Sequence, residues 1–187
     1  MPYVTTSQAV TASRSAWSNR SVAESKMTKS AASPMANNFD IFLSHSYEDA
    51  EVVAGLKILI EKEGLSVYVD WIEDAQAERS KVTAATAEML RQRMRHCRFL
   101  LFATSKVSPN SKWMPWELGY FDGLRQNRVG ILPIVQSDGG LFSGQEYLGL
   151  YPSWQFIDFD RIGRHLGRLT APREGETLRQ AAQRAYV

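Results

Sequence analysis

The sequence predicts an α/β domain in which a parallel sheet is covered by helices on both faces. From Phe39 onward, short apolar runs rich in strand-forming residues alternate with longer segments whose apolar residues recur at helical spacing. The apolar runs also lack the strict polar alternation of strands that face water on one side. Both observations are typical of repeated strand–helix–strand units, because crossover helices bury both faces of the strands that they connect.

Five strands follow one another along this part of the chain. The first is the run "FDIFLS" at 39–44, and the third, "CRFLLFAT" at 97–104, is apolar over most of its length. The other three strands are expected at 65–71, 128–136 and 154–159. Such spacing predicts a flavodoxin-like three-layer sandwich, in which a five-stranded parallel sheet has the strand order 2-1-3-4-5.

Helices are expected between these strands. After the first strand, Ser46 and Asp49 have the spacing of a capping box, in which a hydroxyl and an acid three residues later cap a helix start. The helix that follows is expected to end at Gly64, since glycine readily adopts the left-handed conformation found just beyond helix ends. Further helices are predicted at 82–94, at 111–127 and at about 176–186.

The two ends of the chain differ from the strand–helix pattern. Residues 1–38 are dominated by Ser, Thr and Ala and have no periodic apolar face. We expect them to form a disordered tail; a start codon assigned too early and an organelle transit peptide are the alternatives. Residues 39–160 then form the domain, and 161–187 are a basic C-terminal extension that is expected to be helical.

Composition excludes several functional classes. The 187 residues carry a formal net charge of +2, a balance that argues neither for nor against nucleic acid, although it gives no strong basic field. No apolar run approaches the roughly 20 residues of a membrane span. The single cysteine, Cys97, favours a reducing compartment, so a cytoplasmic location is expected. No metal-ligand spacing and no glycine-rich phosphate loop is found. We therefore expect no nucleic acid, membrane, metal or bound cofactor.

A site is expected at the carboxyl ends of the strands. In a sheet of order 2-1-3-4-5 the crevice lies between strands one and three, so the loop "SHSYED" (44–49) faces "SKWMPWELGYFDG" (111–123) across it. Trp113 and Glu117 share one face at a helix start, where the helix dipole favours a carboxylate. A solvated surface glutamate is the alternative interpretation. A receiver domain is disfavoured, because the third strand ends in "LLFAT" without a phosphate-accepting aspartate.

Two of these segments resemble one protein family. "FDIFLSHSYED" resembles the opening strand and loop of TIR (Toll/interleukin-1 receptor) domains, particularly bacterial ones. "WMPWEL" matches their tryptophan-x-x-x-glutamate-leucine element, although Met114 stands where the family usually has cysteine. The resemblance covers about residues 39–160 and implies the TIR fold.

The resemblance implies an enzyme that takes NAD+ as its substrate and breaks the nicotinamide–ribose bond, by hydrolysis or by cyclising ADP-ribose. Glu117 is then the catalytic residue, and Trp113 walls the site while Trp116 packs inward. The other substrate-binding residues are expected to be Ser44, His45 and Ser46 at the phosphate or ribose, and Asp70 and Trp71 at the nicotinamide end.

Further expectations follow from the same resemblance. They are a homo-oligomer built through TIR–TIR contacts, a downstream effector that senses the product, and a role in anti-phage defence such as that of Thoeris systems. Other members of the family are non-catalytic adaptors. A signalling module that binds other TIR domains through the 71–80 loop is therefore the alternative function.

Overall fold

The computed structural model describes residues 3–18, 38–74, 82–140, 142 and 144–155 of the chain. Within these ranges five parallel strands form one sheet. The strands are β1 (Val4–Thr5), β2 (Phe39–Ser44), β3 (Val67–Tyr68), β4 (Cys97–Thr104) and β5 (Val129–Val135). Their order across the sheet is β1-β5-β4-β2-β3.

Five α-helices accompany the sheet in the described residues: α1 (Thr6–Ser18), α2 (Ala50–Lys62), α3 (Asp70–Glu73), α4 (Ala84–Arg95) and α5 (Met114–Leu124). Local chemistry sets several of their ends. The side chain of Thr83 caps α4 by accepting a hydrogen bond from the Thr86 amide. Gly64, just beyond α2, has a φ of 81°, as a left-handed helix end requires. None of these helices is both long and apolar enough to cross a membrane.

Each face of the sheet carries its own buried cluster. Ile41 and Leu43 of β2 point to the face covered by α1 and α2, where the buried side chains are mainly aliphatic. Phe42 points to the opposite face, which α4 and α5 cover and where aromatic side chains are frequent. Because side chains alternate along a strand, Ser44 lies on the same face as Phe42.

The predicted α/β class and the order of the first four predicted strands are confirmed. The predicted second strand is shorter than expected, because the chain turns into α3 at Asp70. The structure differs from the prediction at the position of the fifth strand, which was expected at 154–159. Ser153 forms an isolated parallel bridge with Ile131, and β1 pairs with Ile134 and Val135 farther along β5. Residues 156–159 of the predicted fifth strand lie outside the described residues.

The prediction of disorder is wrong for residues 3–18, which form β1 and α1. Helix α1 packs closely on α2 at Gly55, where an added Cβ would lie 1.8 Å from the carbonyl oxygen of Ala9. The buried face of α1 includes Ala9 and Ala12, side chains too small to give a clear apolar periodicity. Tertiary packing stabilises such a helix where its own sequence does not. Residues 19–37 of the predicted tail lie outside the described residues.

The predicted capping box is also wrong. Residues Tyr47–Asp49 form a 3₁₀ turn, and the Ser46 side chain makes no capping hydrogen bond to it. The Asp49 carboxylate instead accepts a hydrogen bond from Ser105 Oγ at 2.6 Å. A long-range partner across the sheet edge has replaced the local one, and α2 begins one residue after Asp49.

Candidate active site

Glu117 lies in the first turn of α5 and reaches the carboxyl end of β2. Its Oε2 atom accepts a hydrogen bond from Ser44 Oγ at 2.6 Å, and both residues are 0% exposed. Ser44 is the last residue of β2 and points to the α5 face of the sheet, so the strand itself directs the hydroxyl toward the helix. The predicted juxtaposition of the strand-one loop with the "WMPWEL" helix is therefore present in the structure.

Burial limits what the Glu117 carboxylate can touch. With none of its surface exposed, it cannot contact a ligand in this conformation, so ligand access requires neighbouring groups to shift. The position nevertheless suits a negative charge. The helix start contributes a favourable dipole, and Ser44 Oγ donates a hydrogen bond to the carboxylate at 2.6 Å.

Trp113 and Glu117 share one face of the helix start, and that face is buried. The Glu117 amide donates to the Trp113 carbonyl oxygen at 2.8 Å, which continues the helical pattern back to Trp113. Trp113 belongs to the aromatic-rich cluster and is 6% exposed, while Trp116 lies at its margin, partly exposed. Trp113 is therefore the more buried of the two, contrary to the expectation that Trp116 packs inward, because the shared face points into the core. Whether Trp113 walls the site stays a prediction.

His45 connects the loop after β2 to α3. Its Nε2 atom lies 3.1 Å from Trp71 Nε1, and an indole nitrogen can only donate. Nε2 therefore accepts, and Nδ1 carries the proton that is donated to the Leu43 carbonyl oxygen at 2.8 Å. Asp70 Oδ1 lies 3.4 Å from the same Nε2 atom. His45 is thus a buried connector between Trp71 and β2.

These contacts bring most of the predicted site residues together. Ser44 and His45 are consecutive, and through them Glu117 on α5 is linked to Asp70 and Trp71 on α3. Ser46 is also buried, and its carbonyl oxygen accepts a hydrogen bond from the Asp49 amide. Whether these side chains bind substrate stays a prediction.

A family model described as "TIR domain" matches residues 41–169. This chain belongs to the TIR domain family. The match includes the strand, loop and helix that carry Ser44 and Glu117, and it excludes β1 and α1. The N-terminal strand and helix lie outside the matched residues.

Two curated relatives are similar to parts of this TIR protein. ThsB' of Bacillus cereus (strain MSX-D12), to which 3' cyclic ADP-D-ribose synthase activity is ascribed by inference, is 59% identical over 115 residues, 61% of this chain. TIR2 of Cytobacillus dafuensis, to which cyclic ADP-D-ribose synthase activity is likewise ascribed, is 31% identical over 83 residues, 44% of this chain. The matched segments span 59% and 22% of the lengths of these relatives.

The start of the loop after α3 is fixed by a network that sequence reasoning missed. Asp74 accepts two hydrogen bonds from Arg93 on α4, at 2.8 and 2.6 Å, and a third from Tyr68 Oη at 2.7 Å. Burial, and then the adjacent Asp74 carboxylate, raise the pKa of Tyr68 well above its usual value. No local motif reveals this network, because its members lie on three separate elements.

A cavity of about 480 Å³ opens at the same edge of the TIR sheet. Its walls come from the carboxyl ends of β1, β4 and β5 and from the turn after β2, including Thr6, Asp49, Lys106 and Gln136. Burial raises the pKa of Asp49, although its hydrogen bond from Ser105 acts in the opposite direction. Sequence reasoning missed this cavity, because part of its wall follows the N-terminal strand that was expected to be disordered.

No three His, Cys, Asp or Glu side chains within the described ranges are grouped as a metal site would require. The polar side chains gathered at the site are carboxylates, an imidazole and hydroxyls. Of these, Glu117 combines a helix-start position with a directed hydroxyl donor.

Proposed function

We propose that this TIR protein cleaves NAD+ at the nicotinamide–ribose bond and cyclises the ADP-ribose part, with Glu117 as the catalytic carboxylate. The observation that carries the proposal is the Ser44–Glu117 hydrogen bond, which fixes a buried carboxylate at the switch-point edge of the sheet. The cyclic ADP-D-ribose synthase names of the two relatives support the reaction class.

The chemistry needs one well-placed negative charge. When the bond from ribose C1 to the nicotinamide nitrogen breaks, the electron pair leaves with nicotinamide, which departs as a neutral molecule and needs no general acid. The ribose then resembles an oxocarbenium cation, and a nearby carboxylate stabilises that charge. A hydroxyl of the adenosine half bonds to C1 and releases its proton, giving cyclic ADP-ribose; water in its place gives linear ADP-ribose.

Access to Glu117 requires a conformational step. Because the carboxylate is fully buried, we propose that contacts between TIR copies in a homo-oligomer favour a conformation in which substrate reaches it. Ligands and partners shift such equilibria only through their different affinities for the two conformations. Activity should therefore rise with protein concentration.

The wider setting belongs to the same proposal. We propose that the protein acts in the bacterial cytoplasm, that its cyclic product is a signal in anti-phage defence, and that an effector protein senses the product. His45, Ser46, Asp70 and Trp71 would contact NAD+ after the conformational step, and Trp113 would border the opened site. NAD+ is the substrate and no separate cofactor is invoked.

Glu117→Gln tests the proposal, because the amide keeps the size and the acceptor oxygen but removes the charge. We expect nicotinamide release to fall by about 100-fold or more, with circular dichroism and the melting profile still those of a folded protein. Glu88→Gln is the matched control, since Glu88 is an exposed glutamate on α4, and it should keep wild-type activity. Nicotinamide release at the wild-type rate by Glu117→Gln would refute the catalytic assignment.

One observation favours a second candidate function. The Glu117 carboxylate is fully buried and hydrogen-bonded, and a glutamate with a purely structural role would show the same two features. In that case the protein is a non-catalytic module that binds other TIR domains through the 71–80 loop. Substitutions in that loop would then abolish partner binding, and the wild-type protein would leave NAD+ intact at any concentration.

A further inference from the structure

We infer that Ser44 is a positioning residue that holds the Glu117 carboxylate, rather than a residue that contacts NAD+. The inference rests on the proposed function of Glu117 and assigns its hydroxyl partner a specific task. It differs from the sequence expectation, in which Ser44 binds phosphate or ribose.

The Ser44 hydroxyl is carried by a rigid part of the backbone. Ser44 pairs with Phe102 of β4, and β2 is also paired to β3 on its other side, so the strand lies inside the sheet. Its backbone is thereby fixed, and the side chain has only the rotation of its Cα–Cβ bond. A hydroxyl donor carried by such a fixed backbone determines where its acceptor oxygen must lie.

The partner of that hydroxyl is the carboxylate itself. Ser44 Oγ lies 2.6 Å from Glu117 Oε2, and neither residue exposes any surface. The neighbouring residues of the loop have other contacts: His45 bonds to Leu43 and Trp71, and the Ser46 carbonyl accepts from Asp49. Within "SHS", Ser44 thus presents its hydroxyl to Glu117.

A positioning role has a kinetic signature. If Ser44 touches Glu117 and not NAD+, its loss misplaces the carboxylate in the transition state and leaves ground-state binding alone. The value of kcat then falls while KM stays the same, whereas loss of a substrate contact raises KM. Misplacement of a catalytic group by about 1 Å can cost on the order of 100-fold in rate.

The first test compares Ser44→Ala and Ser44→Thr with the wild-type chain in steady-state NAD+ cleavage. We expect Ser44→Ala to lower kcat by about 10- to 100-fold with KM within about twofold, and Ser44→Thr, which keeps a hydroxyl, to retain more kcat than Ser44→Ala. Ser66→Ala is the matched control, because the Ser66 hydroxyl also donates to a carboxylate, that of Asp40, near the amino ends of β2 and β3; it should leave kcat unchanged. A KM raised tenfold at unchanged kcat, or an unchanged kcat, overturns the inference.

The second test does not depend on activity. Urea midpoints are measured for Ser44→Ala, Glu117→Gln and the double variant; we expect the two effects to be non-additive, because each substitution alters the same hydrogen bond. Additive shifts would overturn the inference even if NAD+ is cleaved. Non-additive shifts with no NAD+ cleavage by the wild-type chain would instead overturn the proposed function, and the catalytic task of Ser44 with it.

Discussion

The two faces of the sheet bury different kinds of side chain. The face under α1 and α2 is mainly aliphatic and holds a close helix contact at Gly55. The face under α4 and α5 is richer in aromatic rings and also buries charged groups, among them Glu117, Arg93 and Arg125. Within the described residues, the proposed chemistry and the buried ionic contacts with Asp74 thus share one face.

The difference indicates that one face mainly stabilises the fold by apolar packing, whereas the other also holds charged side chains in defined positions. An aliphatic face gains stability from the apolar area it removes from water, and many substitutions of similar size are tolerated there. A buried charge costs free energy unless its partners are in place, so the face under α4 and α5 is stable in only a few arrangements. Such restriction is what a carboxylate with a defined role requires. Three substitutions test the comparison, from the largest expected effect to the smallest.

Arg93→Ala should have the largest effect on stability. It removes two hydrogen bonds from the buried side of Asp74 and leaves that carboxylate without its charge partner. Loss of one member of a buried pair typically costs about 3–5 kcal/mol, measured as the free energy of unfolding in urea. Arg91→Ala is the control, since Arg91 lies on the same helix and stacks over Trp116 near the surface; its cost should be about 1 kcal/mol or less. Equal losses of unfolding free energy in Arg93→Ala and Arg91→Ala would contradict the idea that the buried charges of this face depend on their partners.

Gly55→Ala should disturb the aliphatic face by steric conflict. The added methyl group would meet the backbone of Ala9, so α1 must move away from α2. Because the conflict is with backbone, we expect a loss at the upper end of the usual overpacking range, about 3 kcal/mol, and faster proteolysis within residues 3–18. Gly123→Ala, in α5, is the control, because nothing lies within 4 Å of its added Cβ. Alanine is the better helix former there by up to about 1 kcal/mol, so this variant should be slightly more stable. A tolerated Gly55→Ala would show that α1 is not docked at this position.

Tyr68→Phe should have the smallest effect, and one that depends on pH. The variant lacks the hydroxyl donor to Asp74, and hydrogen bonds to charged groups contribute about 1.5–3 kcal/mol. Because burial raises the pKa of Tyr68 in the folded state, the folded protein keeps this proton when the unfolded chain loses it. The contribution of Tyr68 is therefore complete below pH 10 and declines as pH rises above it.

Urea denaturation at pH 7.5 and at pH 11 tests this expectation with the same two proteins. The stability difference between the wild type and Tyr68→Phe should be smaller at pH 11. A difference that grows with pH would mean that the folded state favours the ionised tyrosine, contrary to the contact with Asp74.

The sequence was sufficient to predict four strands of the sheet, and it predicted that the strand-one loop, which begins at Ser44, faces the helix that carries Glu117. Apolar runs and helical spacing give a parallel sheet, and the geometry of such a sheet brings the ends of strands one and three together. The burial of Glu117 could not be predicted in this way, because it depends on how side chains from several elements close over the carboxylate. The hydrogen bonds of Asp74 with Tyr68 and Arg93 were missed for the same reason.

The N-terminal region shows a different limit of prediction from the sequence. Helix α1 presents small residues such as Ala9 to α2, and its fit depends on the missing side chain at Gly55. Complementarity of this kind is a property of two segments together, and the composition of residues 1–38 alone indicates disorder. The first two described elements were accordingly missed, and β1 was found at the β5 edge beside Ile134.

Mass analysis of the product tests the central claim most directly. The wild-type chain, at high concentration, is incubated with NAD+ beside Glu117→Gln. We predict nicotinamide and a form of ADP-ribose lighter than the linear molecule by one water for the wild type, and unreacted NAD+ for Glu117→Gln. The same product in equal amount from both proteins would contradict the assignment of Glu117, and intact NAD+ in both would contradict the proposed activity.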